Sequence, residues 1–186
     1  MSNAAVDQPV RIGLAGAILV GAGVAVVLGV YGGVHHPAGK PLFTWGFSGI
    51  LQMKAWFATA AAALLIVQLV TASWMWGRLP GVGTAPAWLT PVHRWSGAVA
   101  FTLTLPPAIN CLWALGFLGS SPRVLLHGVV GCAFYGAYTA KMLGLRLQGL
   151  PGWALPVLGG TVLALLALVW LTSALWFFTR SGVPLT

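Results

Sequence analysis

The chain is 186 residues long, 59% hydrophobic and 5% charged, and it sets nine Lys and Arg against a single acidic residue, Asp7, for a net charge of +8. A soluble domain so poor in charge would have little polar surface to offer water, so a globular fold is excluded and a bilayer protein is expected. The basic residues stand at the ends of apolar runs, where they anchor a protein to headgroups; no basic stretch interleaved with polar and aromatic residues is present, which excludes nucleic acid as a partner.

Apolar runs of about 20 residues or more, the length needed to cross a hydrocarbon core, predict spans over 12–34, 55–76, 95–118, 124–145 and 153–178. Within lipid each backbone polar group must find an internal partner, and no alternating strand pattern points to a barrel. The expected fold is all-α: one polytopic integral-membrane bundle of five transmembrane helices over 1–186, with the lipid bilayer as its solvent. The first run lacks a small-residue cleavage site with a polar continuation and reads as a retained helix.

The first span carries Ala17, Gly21, Ala25, Gly29 and Gly33 at every fourth position, and the fourth span carries Gly128, Cys132, Gly136, Ala140 and Gly144 in the same way. Each set makes a smooth stripe along one helix face. Such stripes let helices approach closely; they would equally leave room for a flat cofactor. Between the first two spans, His35 to Pro41 and the aromatic stretch from Phe43 to Met53 form a surface segment. Trp45, Trp56, Trp74, Trp76, Trp88, Trp95, Trp153 and Trp176 fit interfacial belts at span ends. In the third span Pro106-Pro107 is expected to bend the helix just before Asn110, which could cap the kink. Cys111 and Cys132 read as small packing residues. Basic residues divide into Arg11, Arg78, Arg94, Lys141 and Arg146 on one face and Lys40, Lys54, Arg123 and Arg180 on the other, a bias that places the N-terminus in the cytoplasm.

Ionisable residues near a bilayer are functional candidates by default, although an interfacial imidazole can also contact water and headgroups at little cost. His35 and His36 end the first span, His93 opens the third, and His127 lies about 6 Å inside the boundary set by Arg123 at a rise of about 1.5 Å per residue. Two of them begin one local pattern, His93-Arg94-Trp95-Ser96-Gly97 and His127-Gly128-Val129-Val130-Gly131. At helical spacing the glycine four residues on shares the histidine's face, which opens a slot where a planar ligand could meet the backbone.

On these residues the third and fourth spans resemble the b-type membrane cytochromes, above all ferric-reductase-like bundles in which histidines on adjacent helices hold haem; a family of uncharacterised bacterial five-helix membrane proteins is also similar. The resemblance implies a bacterial plasma membrane, haem b as cofactor and a membrane redox partner. The haem-binding residues would be His127, His36, His93, His35, Gly131 and Gly97, with His127 and His36 as the iron ligands. His93 lacks a histidine partner at its own face, where Met75 and Met142 are the nearest soft ligands, so one haem is expected before two. Copper at His35, His36 and Met53 is a further soft-ligand possibility.

No Glu occurs, and no Asp beyond Asp7, which argues against proton-coupled transport through a membrane carboxylate and against hydrolase chemistry. Two functions stay open. One is an integral-membrane electron-transfer protein of cytochrome b type. The other is a cofactor-free structural or assembly subunit of a larger, possibly respiratory, membrane complex, for which the smooth stripes suit association with the helices of other complex subunits.

Overall fold

A computed structural model describes residues 8–117 and 121–183. Asp7 and the expected end of the third span at Leu118 lie outside the described residues. Five helices occur among the described residues: α1 (Gln8–Val34), α2 (Ile50–Met75), α3 (Leu89–Leu115), α4 (Pro122–Gly144) and α5 (Ala154–Ser181). No strand occurs among the described residues, so the all-α expectation holds.

The span count needs correction. Among the described residues four helices, α1, α2, α3 and α5, are long and apolar enough to cross a membrane. The fourth predicted span is a helix of 23 residues, but Arg123, His127, Tyr135, Tyr138, Thr139, Lys141 and its glycines dilute its apolar character. Its start is built as the sequence dictates: Ser121 is extended, its Oγ accepts from the Val124 N–H at 3.3 Å, and Pro122 occupies the first turn. The third helix begins earlier than its hydropathy indicates, at Leu89, so His93 stands one turn inside it and not at its head.

The chain forms two compact units. One holds α1, α4 and α5 up to Val169. Here α1 and α4 run antiparallel, with Gly13 against Leu147 and Gly21 against Gly136 and Ala140. A Cβ on Gly136 would stand 2.5 Å from the Gly21 carbonyl oxygen and 2.9 Å from the Ala25 Cβ, and a Cβ on Gly21 would overlap the Gly136 carbonyl oxygen. The two stripes are therefore pressed against each other, backbone to backbone, which is the packing that small residues permit in lipid.

The other unit holds α2, α3, the connector before α2, and α5 from Trp170 onward. Ala55 and Ala58 of α2 form a small core with Ala174 and Phe177 of α5. Trp170 Nε1 donates to Thr59 Oγ1 at 3.0 Å, and Trp56 meets Phe178 edge to face. Pro106 and Pro107 have no N–H to give the helical ladder, and α3 continues past them by widening into a π-helical turn over Cys111–Leu115.

Candidate functional site

The α2–α3 contact carries a polar seam. Gln68, Thr71 and Met75 recur at i, i+3 and i+7 on α2, and Thr90, His93 and Gly97 do so on α3, so each set lies on one helix face. Because the helices are antiparallel, the residues meet in rungs. Thr90 Oγ1 approaches Met75 Sδ at 3.9 Å, Thr71 Oγ1 meets His93 Nδ1 at 2.7 Å, and Gln68 Nε2 donates to both the His93 carbonyl oxygen and Ser96 Oγ at 2.7 Å. The connector sets this register: Trp74 Nε1 donates to the Gly83 carbonyl at 2.9 Å, its ring meets Trp88 at right angles, and the next residue, Leu89, is buried.

The network assigns a tautomer to His93. Thr71 is buried, and its single hydroxyl proton goes to the Val67 carbonyl oxygen at 2.6 Å. Its oxygen then accepts from His93, which puts the proton on Nδ1. A ring nitrogen fixed in this way sets the orientation of the other, the arrangement that ligating histidines use. Ser96 Oγ donates onward to the Val92 carbonyl at 2.7 Å.

A second polar centre surrounds Asn110, which is fully buried. Its Oδ1 accepts from the Leu42 N–H at 2.9 Å, and its Nδ2 donates to the Phe43 carbonyl at 3.2 Å and the Pro106 carbonyl at 3.3 Å. Two carbonyls of the widened turn, Trp113 and Ala114, accept from Ala38 and Gly39 at 3.0 and 3.1 Å. The surface segment before α2 is thus stitched to α3. Its tight turn has positive φ at both Trp45 (48°) and Gly46 (84°), and the strain at Trp45 is held by stacking on Phe43 and contact with Phe57.

The remaining predicted residues are placed separately. His35 stacks on Tyr31 of its own helix, with ring centroids 4.9 Å apart, and His36 is exposed beside it. His127 is half-buried on α4. Both cysteines are free thiols. Among the described residues no three His, Cys, Asp or Glu side chains gather as a metal site.

Haem would need the glycine positions as open faces, and the residues present do not make that room along the stripe. The Phe117 ring would lie 2.7 Å from a Cβ on Gly128, α1 covers Gly136, and Leu158 reaches 3.0 Å from the corresponding point on Gly144. Below His93 the Gln68 amide occupies the slot at Gly97, 3.1 to 3.3 Å from where a Cβ would stand. Gly131 alone of the two slot glycines faces open space. Elsewhere on the α1–α4 pair an open apolar cleft of about 230 Å³ is lined by Ala25, Gly29, Phe117, Val129 and Cys132, among others. That volume is below the roughly 300–1,000 Å³ of sites that enclose a drug-sized ligand, and a porphyrin is larger still.

A family model matches residues 14–185. The chain belongs to the DUF6529 family, a family of unknown function. No curated protein and no solved structure matches it. In this DUF6529 chain the polar seam was half visible in the sequence. His93 and Met75 stand out in the sequence as ionisable and soft groups, whereas Gln68, Thr71 and Ser96 carry no such chemical mark. Their i, i+3 spacing on facing helices was the available signal.

Proposed function

We propose that the protein is an integral-membrane helical subunit that acts through helix packing, as a structural or assembly component of a larger membrane complex, and not through a bound cofactor. One observation carries this reading: the small-residue stripe of α4, the feature that could have admitted a porphyrin, is covered by Phe117, α1 and Leu158. The buried and half-buried polar groups of the second unit likewise serve helix contacts, since Gln68, Thr71 and Asn110 bond neighbouring segments. Smooth positions that meet nothing within 4 Å, among them Gly16 and Gly23 on α1 and Gly159 and Gly160 on α5, would suit the close approach of helices from other subunits. Four long apolar helices support the membrane setting.

The test is purification of the full-length chain in mild detergent after expression with ample haem, followed by a dithionite-reduced minus oxidised spectrum and haem quantification per chain. A flat spectrum with partner chains retained from native membranes is expected. A b-type band at near-stoichiometric haem overturns the proposal, as does a colourless, monodisperse chain that retains no partner.

The electron-transfer reading keeps one observation in its favour, the Thr71 contact that orients the His93 imidazole. Under that reading the band is present and His93→Ala removes it.

A further inference from the structure

The antiparallel packing of α1 on α4 brings three cations to one end of the first unit. Arg11 lies between Val10, whose Cγ2 is 3.5 Å from the Cβ position of Gly149, and Gly13, whose Cβ would meet Leu147 Cδ2 at 2.9 Å. Arg146 adjoins Leu147, and so stands at the same level. Lys141 is five residues earlier on α4, about 7 Å deeper at a rise of about 1.5 Å per residue, a depth that a four-carbon stem can span by snorkelling. Arg11 and Arg146 are exposed and Lys141 is half-buried.

Nothing in the described chain neutralises them. Residues 8–186 contain no Asp or Glu, and among the described residues no side-chain hydrogen bond or ion pair holds Arg11, Lys141 or Arg146. The C-terminal end of α4, where Leu145 and Arg146 close the last turn onto the Lys141 and Leu143 carbonyls, offers only the partial negative charge of a helix end. Asp7, the one acidic side chain of the sequence, can offset only one of the three charges, so a counter-anion must come from outside. The surroundings decide which: Ile12, Met142 and Leu145 beside the cations are exposed at 65%, 42% and 50%. An anion that also covers apolar surface has acyl chains.

We infer that this end of the α1–α4 pair docks an anionic phospholipid, its phosphate held by Arg11 and Arg146 with Lys141 reaching up from below, and its chains lying over Ile12, Met142 and Leu145. The inference rests on the membrane setting proposed above. Each basic residue near an anionic lipid surface contributes about 1 kcal/mol, or about fivefold in binding, so loss of three amounts to roughly a hundredfold.

The full-length chain is reconstituted from detergent into phosphatidylcholine vesicles and floated after an alkaline wash. Failure to float with these neutral vesicles sinks the membrane setting itself. Phosphatidylglycerol binding is then measured against phosphatidylcholine by native mass spectrometry. The expected result is selective retention of phosphatidylglycerol, lost roughly a hundredfold in R11Q/K141Q/R146Q and kept in R11K/R146K and in R78Q/R94Q. The inference is overturned if the triple variant keeps its selectivity, or if R78Q/R94Q loses as much, which would mean bulk electrostatics. It is overturned equally if millimolar inorganic phosphate displaces the lipid completely. An acidic protein retained by the wild type in place of any lipid preference also overturns it.

Discussion

Replacing Gly136 with alanine tests whether backbone contact between α1 and α4 carries the first unit. The added methyl would stand 2.5 Å from the Gly21 carbonyl oxygen and 2.9 Å from the Ala25 Cβ. Carbon tolerates a carbonyl oxygen at about 3.3 Å, so the helices must part by roughly 0.8 Å at this level, because neither neighbour is the end of a flexible side chain. A gap of that size forfeits a quarter to a half of each van der Waals contact, each worth ~0.1–0.2 kcal/mol. If on the order of 20 atom pairs are affected, dispersion alone loses about 1 kcal/mol, and the strain typical of overpacking raises the total to about 1–3 kcal/mol. Helix association in lipid rests on this packing and not on hydrophobic force. Thermal unfolding in mild detergent, followed by circular dichroism, should show a Tm lowered by roughly 2–12 °C, at about 2–4 °C per kcal/mol for a chain of this length. Gly23→Ala is the control: nothing lies within 4 Å of that position, and alanine is the better helix former by up to about 1 kcal/mol, so its Tm should hold or rise. Equal melting of the two variants would refute the reasoning.

Asn110→Ala should free the segment before α2, because the Leu42 N–H and Phe43 carbonyl lose their partner; at about 1–3 kcal/mol for an orphaned buried group, exchange of the Leu42 amide should quicken about 5- to 150-fold, and an unchanged rate would show that the clamp does not hold it. Thr71→Val keeps the shape of the seam and removes the His93 contact, which at about 0.6–1.7 kcal/mol for an interhelical hydrogen bond in a membrane should cost only a few degrees of Tm; the His93 Nδ1 nitrogen shift should also move away from its protonated value, and an unmoved shift would reject the tautomer. Thr59→Val should cost a similar amount by leaving Trp170 Nε1 without its oxygen, while a variant as stable as the wild type would mean that this indole finds another acceptor.

Much of the architecture was legible along the chain because it depends on local quantities. Apolar runs and the shortage of charge specify helices of membrane-spanning length, and Ser121-Pro122 marks the start of α4 by cap chemistry alone. Small residues at every fourth position announced a smooth face on α1 and another on α4. Periodicity cannot say what a smooth face meets, however. Gly21 and Gly136 are 115 positions apart in sequence, and only the antiparallel docking of their helices decided that each is filled by the other's backbone and not by a ligand.

The same division holds for the candidate site. Histidines could be picked out residue by residue, since ionisable side chains are rare in apolar runs. Their partners could not: Thr71 reaches His93 only because the connector over 76–88 folds back on Trp74 and sets the rungs of α2 against α3. Asn110 looked like a local cap for a proline kink, yet two of its three hydrogen bonds go to Leu42 and Phe43, far away in the chain. The sequence by itself determined which segments are helical and apolar, because a single helix or a single charge answers to its neighbours in the chain. Which faces touch and which slots close were decided by tertiary structure, because those outcomes depend on the register between helices.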